Sequence, residues 1–168
     1  MTEEQYRIWS EPFRKHTFLR RALLVYNHAA TLGIAAAYIA ALILLAVNGD
    51  GRLWRALLAP ALSLLAVTLL RAAVDRPRPY EKLNIEPLLD KRKKGKSFPS
   101  RHTFSAFAVA TVLFWLQPLA GGITAAFSLL LAAARVIAGV HYPSDVAAGA
   151  VLGVALVALG LYIPLPAA

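Results

Sequence analysis

Three short segments of the sequence carry residue types that can bind and transfer a phosphoryl group. In chain order they hold Arg71 and Arg78-Pro79, then Pro99-Ser100-Arg101-His102, then Arg135, His141 and Asp145. Arginine side chains present forked, permanently charged donors that match the oxygens of a phosphate. Histidine side chains titrate near neutral pH and can act as a nucleophile or as a general acid. The three segments therefore indicate phosphoryl-transfer chemistry.

The remaining groups divide between anion binding and proton handling. Ser100 lies where a helix is expected to begin, so the free backbone amides of Arg101 and His102 would point at an anion. One of the two histidines can attack phosphorus while the other protonates the departing oxygen. Asp145 can accept the proton of His141, fix its tautomer and stabilise the charged ring. No metal or other cofactor is required, because the arginines serve as the positive clamp.

Long apolar stretches must position these segments. A spanning helix needs about 20 mostly apolar residues, and five stretches qualify: Ala22 to Val47, Leu53 to Leu70, Thr103 to Leu119, Gly122 to Gly139 and Ser144 to Tyr162. Hydrophobic residues make up 58% and charged residues 16% of the 168 residues, an apolar excess over soluble domains. The sequence predicts one domain, 1–168, that is an all-α integral membrane helical bundle with five transmembrane helices.

Two polar regions lie outside these spans. Residues 1–20 mix charges with aromatic residues and are expected to form an N-terminal interfacial helix, which would be a sixth element. Residues 71–99 are expected to form a polar active-site loop, because they cannot cross hydrocarbon. The basic run Lys91-Arg92-Lys93-Lys94-Gly95-Lys96 would attract anionic headgroups. Ordinary charge pairs are expected among the other loop residues: Asp75, Arg76, Glu81 and Glu86.

The distribution of charge narrows the choice of partner. Five spans place the N-terminus, the polar loop and the His141 junction on one side of the membrane, together with 16 of the 18 Lys and Arg residues. In so apolar a chain, a net charge of +9 favours anionic lipid or a phosphorylated substrate over nucleic acid. The chain has no cysteine, which excludes a disulfide framework, thiolate metal sites and a cysteine nucleophile.

The three segments resemble the signature motifs of the type-2 phosphatidic acid phosphatase superfamily, which includes lipid phosphate phosphatases and vanadium haloperoxidases. The family pattern is Lys-x6-Arg-Pro, then Pro-Ser-Gly-His, then Ser-Arg-x5-His-x3-Asp. The resemblance implies a phosphohistidine intermediate at His141, oriented by Asp145, with His102 as the acid for the leaving group. It implies that phosphate is bound by main-chain amides near Arg101 and by the side chains of Arg71, Arg78, Ser100 and Arg135.

This sequence departs from the family pattern at three positions. Arg71 stands where the family usually has lysine, which keeps the charge but changes its reach. Arg101 stands where the family has glycine; its added charge would contact a second phosphate or point to solvent. Ala134 replaces serine and removes one hydroxyl. None of these changes deletes a histidine or the aspartate.

The predicted function is that of a multi-pass cell-membrane lipid phosphatase. Candidate substrates implied by the family are a polyprenyl diphosphate such as undecaprenyl diphosphate, phosphatidylglycerol phosphate and phosphatidic acid. The charge of Arg101 favours the diphosphate. The alternatives are a catalytically silent protein that binds or transports a lipid phosphate, and a vanadate-dependent haloperoxidase. The charge bias favours a cytoplasmic site, whereas many relatives work on the outer face, so both the membrane side and the oligomeric state are left open.

Overall fold

The computed structural model describes residues 1–89 and 94–163, in which every regular element is a helix. In chain order the helices are α1 (Glu3–Lys15), α2 (Thr17–Val47), α3 (Arg52–Val74), α4 (Pro79–Lys82), α5 (Arg101–Leu116), α6 (Pro118–Ile137) and α7 (Pro143–Tyr162). The predicted all-α class is confirmed. Residues 91–93 of the predicted basic run lie outside the described residues.

Four segments of the described chain are long and apolar enough to cross a membrane, and they contain α2, α3, α6 and α7. Their bounds are Thr17–Val47, Arg52–Lys82, Pro118–Ile137 and Pro143–Tyr162. The predicted third span corresponds to α5, which has only 16 residues. A helix of that length rises about 24 Å, less than the roughly 30 Å of a hydrocarbon core. The count of five spans therefore stays a prediction, while the multi-pass membrane bundle is confirmed.

Two glycines on α7 allow it to pack closely against α5. A Cβ atom at Gly149 would lie 2.7 Å from the Ser100 carbonyl oxygen, and one at Gly153 would lie 2.6 Å from the Phe104 carbonyl oxygen. Only residues without a side chain permit such an approach of two backbones. At the top of this contact the Ser100 amide donates to the Asp145 carbonyl oxygen at 2.8 Å. The glycines thus bring the first turns of α5 and α7 together.

The junction between α6 and α7 is a tight reversal. Gly139, at φ +72°, ends α6 in the left-handed region that favours glycine, and Pro143 begins α7 at the first helical position. The ring of Tyr6 packs against Gly139, where a Cβ atom would meet it at 2.7 Å. His141 lies between these two boundaries, so the backbone that carries it is fixed on both sides.

Helix α1 lies against this junction. Its N-terminus is closed by a capping box between Thr2 and Gln5. The buried Tyr6 side chain donates to the Glu86 carbonyl oxygen at 2.8 Å, which ties α1 to the polar loop. The side chains of Ile8 and Trp9 on the same helix are 61% and 42% exposed. The predicted N-terminal helix is therefore present, and its position in the membrane interface stays a prediction.

The polar loop between α3 and α5 is held by backbone contacts as well as by side chains. Its first residues, 71–74, still belong to α3. The Ser97 amide donates to the Arg76 carbonyl oxygen at 2.8 Å. The Glu81 carboxylate accepts from the amides of Arg78 and Gly95 at 2.6 and 2.9 Å. The prediction that Arg76 forms an ordinary pair within the loop is wrong, because its guanidinium group reaches Asp145 on α7 instead.

Candidate active site

The centre of the site is a buried histidine–aspartate pair at the α6–α7 junction. His141 is 1% exposed and Asp145, one helical turn later, is completely buried. The Nδ1 atom of His141 lies 3.7 Å from Oδ2 of Asp145, a close contact that is longer than a hydrogen bond. Because Nδ1 faces the aspartate, Nε2 is the ring nitrogen that remains to meet a substrate.

Asp145 is fixed by three further donors. Its Oδ2 atom accepts from the Ser97 hydroxyl at 2.5 Å and from the Tyr142 amide at 2.9 Å. Its Oδ1 atom accepts from Arg76 at 2.7 Å, and the same guanidinium group lies 4.3 Å from the centre of the Tyr142 ring. Both oxygens of the buried carboxylate therefore have hydrogen-bond partners, which offsets the cost of burying a charge.

Ser97 connects the two members of the pair. Its side chain is fully buried, and its hydroxyl oxygen lies 3.4 Å from Nδ1 of His141 while it donates to Asp145. A hydroxyl group can donate to one partner and accept from another at the same time. Ser97 thus contacts both side chains and helps to fix the carboxylate relative to the imidazole ring.

The environment of His141 favours its neutral form. Burial is the main cause, and it lowers the pKa of the imidazole to about 4; the adjacent Asp145 opposes this shift, and the positive charges of Arg135 and Arg78 add to it. A group with this pKa is neutral at physiological pH, and only a neutral imidazole can act as a nucleophile. The site therefore presents an uncharged nitrogen within a cluster of positive charge.

Arg135, in the last turn of α6, is the most buried of the arginines that the structure describes. The residue is 1% exposed, and its NH1 group donates to the Asn27 Oδ1 atom on α2 at 3.1 Å. Its Nε atom is buried without a hydrogen-bond partner. A buried guanidinium group with an unsatisfied donor is expensive to maintain unless an anion binds there. This orphaned donor is consistent with a phosphate oxygen as its partner.

Arg78 and Arg71 approach the same region from the polar loop and from the end of α3. Arg78 is 7% exposed and donates to the carbonyl oxygens of Gly95 and Val140 at 3.1 and 3.3 Å. The Arg71 side chain donates to the carbonyl oxygens of Pro99 and Lys96. Arg71 is close enough to Arg78, Arg101 and Asp145 to interact electrostatically with all three. Three of the predicted phosphate-binding arginines, Arg71, Arg78 and Arg135, therefore converge around the His141–Asp145 pair.

The remaining predicted site residues lie in and before the first turn of α5. Ser100 is fully buried and is the N-cap of the helix, where its hydroxyl accepts from the Thr103 hydroxyl at 3.1 Å. Its own side chain is thus occupied by capping, and the first-turn amides are the groups left to meet an anion. Arg101 is exposed and His102 half-buried, and both line a cavity of about 250 Å³ between α2, α5 and α6.

Three residues that the motifs do not contain also contribute to the site: Arg76, Ser97 and Asn27. Arg76 and Ser97 both contact Asp145, and Asn27 contacts Arg135. Among the described residues, no group of three or more histidine, cysteine or acidic side chains could hold a metal ion.

Together, the helices and the site define a multi-pass membrane protein whose buried ionisable groups, among the described residues, collect at one end of an apolar bundle. The chain belongs to the PAP2 superfamily, whose family model matches residues 52–167. The motifs that predicted this membership lie within the matched region, and the membership confirms the resemblance.

Individual relatives agree with this membership. Over 71 residues the chain is 37% identical to the bacitracin transport permease protein BcrC of Bacillus licheniformis; the match covers 42% of this chain and about a third, 34%, of that protein. The crystal structure of Aquifex aeolicus LpxE has a TM-score of 0.75 and 28% identity, over 95% of this chain and 94% of that one. A transmembrane phosphatidylglycerolphosphate phosphatase from Bacillus subtilis shares the fold, with a TM-score of 0.64 and 22% identity, over 94% and 83% of the two chains.

Proposed function

We propose that this protein hydrolyses a lipid phosphomonoester or pyrophosphate at the membrane surface through a phosphohistidine intermediate at His141. The observation that carries the proposal is the buried imidazole of His141 in contact with Asp145, close to the charges of Arg78 and Arg135. A phosphoryl group needs little covalent help from a protein beyond a positioned nucleophile and positive charge around its oxygens. The membership of the PAP2 superfamily supports the same reaction class.

The first chemical step transfers the phosphoryl group to the protein. Nε2 of His141 forms a bond to phosphorus as the bond from phosphorus to the lipid oxygen breaks. Arg71, Arg78 and Arg135 hold the phosphoryl oxygens, whose charge shifts during transfer. His102 gives a proton to the departing lipid oxygen. Asp145 stabilises the positive charge that the His141 ring carries in the intermediate.

The second step returns the enzyme to its starting state. Water attacks phosphorus, His102 accepts a proton from this water, and the bond between phosphorus and Nε2 breaks to release inorganic phosphate. The proton that His102 gave in the first step is thereby restored. In this mechanism arginine side chains supply the positive charge, and we propose that the enzyme works without a metal ion.

The substrate belongs to the membrane phospholipids and isoprenoid lipids that carry a terminal phosphate. The candidates are a polyprenyl diphosphate, phosphatidylglycerol phosphate and phosphatidic acid. The exposed Arg101 beside His102 adds a positive charge that suits a second phosphate. The site lies at the ends of apolar helices, so a lipid can keep its chain in hydrocarbon while its headgroup enters the cluster of arginines.

A panel of lipid phosphates assayed for phosphate release by the purified protein tests this function. We expect turnover that vanadate inhibits, that EDTA leaves intact and that His141→Ala abolishes. The alternative of a silent binding or transport protein has some support, because the relative BcrC is named a bacitracin transport permease protein. Lipid binding without any phosphate release by the wild-type protein would favour that alternative.

A further inference from the structure

We propose that the seam between α2, α5 and α6 binds the hydrocarbon chain of the substrate, and that this chain is a single long one. The inference rests on the proposed function and concerns the part of the lipid that does not react. The seam holds two cavities in succession, one next to the phosphate site and one farther along the same helices.

The first cavity changes from charged to apolar along α5. Its volume is about 250 Å³, and Arg101 and His102 line it at the start of the helix. Ala106 and Val109 follow on the same side of α5, and Ile34 faces them from α2. A phosphorylated lipid has the same polarity, with charge at one end and hydrocarbon behind it. The cavity is therefore oriented for a headgroup at His102 and a chain that runs along α5.

A face of α2 connects this cavity to the phosphate site. Asn27 accepts a hydrogen bond from Arg135, and Thr31 and Ala35 follow at intervals of four residues and line the cavity. Residues four apart lie above one another on a helix. A lipid whose phosphate binds Arg135 thus meets the same face of α2 with the first part of its chain.

The second cavity continues the seam toward the other end of the bundle. Its volume is about 580 Å³, its α2 wall contains the small residues Ala37, Ala40 and Ala41, and the Asp50–Arg52 ion pair lines it beyond the end of α2. Leu113 and Leu116 line it from α5. Between Ser105 in the first cavity and Leu116 in the second, α5 rises by about 16 Å. The two cavities together follow most of this central helix.

The arrangement of the cavities favours one chain over two. Val109 in the first cavity and Leu113 in the second lie about one helical turn apart on α5. A single chain that lies along α5 would therefore meet both cavities, whereas a two-chain lipid needs two parallel paths. A polyprenyl diphosphate has one chain, and its second phosphate would meet the extra charge of Arg101. We therefore infer that the second cavity acts as a ruler for chain length: it adds affinity only for chains that are long enough to reach it.

The test compares three tryptophan variants on substrates of increasing chain length. Ala35→Trp fills the first cavity, Ala41→Trp fills the second, and Ala61→Trp adds the same bulk to an exposed position of α3 as the matched control. The purified proteins are assayed in detergent with geranyl, farnesyl and long-chain polyprenyl diphosphates and with dioleoyl phosphatidic acid. Turnover of water-soluble para-nitrophenyl phosphate normalises each variant for folded, active enzyme.

The expected readout is the ratio of kcat/KM between long and short chains. Ala41→Trp should lower the ratio of long-chain to geranyl substrate about tenfold, because the chain loses contact area equivalent to a few methylene groups. Ala35→Trp should lower kcat/KM for all three isoprenoid substrates relative to para-nitrophenyl phosphate. Ala61→Trp should change neither quantity.

The outcomes separate this inference from the proposed function. Absence of phosphate release from every lipid by the wild-type protein would overturn the function itself. Turnover with an unchanged long-to-short ratio in Ala41→Trp would overturn the ruler and leave the function standing. Equal or faster turnover of dioleoyl phosphatidic acid than of the long isoprenoid, with both cavity variants slowing it equally, would overturn the single-chain assignment.

Discussion

Replacing Asn27 by leucine tests how the arginine at the centre of the phosphate site is held. Asn27 is 8% exposed, and its Oδ1 atom accepts from the NH1 group of Arg135 at 3.1 Å. Leucine has a similar size but no acceptor. The NH1 group of Arg135 would then lose its partner, while the Nε atom of the same guanidinium group already has none. A hydrogen bond to a charged group contributes about 1.5–3 kcal/mol, which corresponds to roughly a tenfold to hundredfold change.

The loss should appear in anion binding and in turnover together. We expect kcat/KM for para-nitrophenyl phosphate to fall by about ten- to a hundredfold, and the affinity for vanadate to fall in parallel, because Arg135 no longer points its fork at the phosphate. Ser63→Ala is the control, since it removes a buried hydroxyl of α3 that bonds only within its own helix. Unchanged vanadate affinity in Asn27→Leu, at wild-type turnover, would refute the reasoning.

Three further predictions concern the nucleophile, its aspartate and the packing of the site. In an NMR titration, the imidazole of His141 should stay neutral as the pH falls to about 5, because burial lowers its pKa to about 4. The signal is assigned by its loss in His141→Asn. Titration of this signal near pH 6.5 would contradict the prediction. Ser97→Ala should lower kcat about tenfold or more with little change in KM, because Asp145 loses a charge-assisted hydrogen bond; wild-type kcat would count against this role. Gly149→Ala should lower the Tm in detergent, because its Cβ atom would lie 2.7 Å from the Ser100 carbonyl oxygen. Gly33→Ala is the control and should not lower it, because the space around Gly33 is open. Equal Tm values for the two variants would contradict the close packing of α5 and α7.

The helices follow directly from the sequence wherever apolar length decides. Helices α2, α3, α6 and α7 overlap the long apolar stretches that predict them, because a membrane bundle must satisfy every backbone group within its helices. Helix α2 begins five residues and α6 four residues before the predicted start. The predicted third span, Thr103 to Leu119, begins two residues after the start of α5 and ends three residues after its end. The structure starts it at Arg101, after the Ser100 cap, and breaks it at Gln117, whose side chain caps α6. Local capping by Ser100 and Gln117 sets these helix ends, and a hydropathy pattern does not indicate where a cap lies.

The site could be predicted only as far as spacing along the chain reaches. His141 and Asp145 lie one helical turn apart, so their pairing follows from the sequence. The contacts of Arg76 and Ser97 with Asp145 join residues 69 and 48 positions apart, and no periodic pattern encodes them. Asn27 carried a usable signal, because a polar residue within a membrane span is expensive and tends to be functional.

The most direct test of the central claim is to trap the phosphoryl group on the protein. His102→Ala is mixed with radiolabelled para-nitrophenyl phosphate, whose leaving group departs without a proton, and the reaction is quenched in alkali. Loss of His102 should slow the attack of water, so we predict that acid-labile, alkali-stable label accumulates on the peptide that contains His141. Label on another residue, or undiminished phosphate release by His141→Ala, would contradict the mechanism.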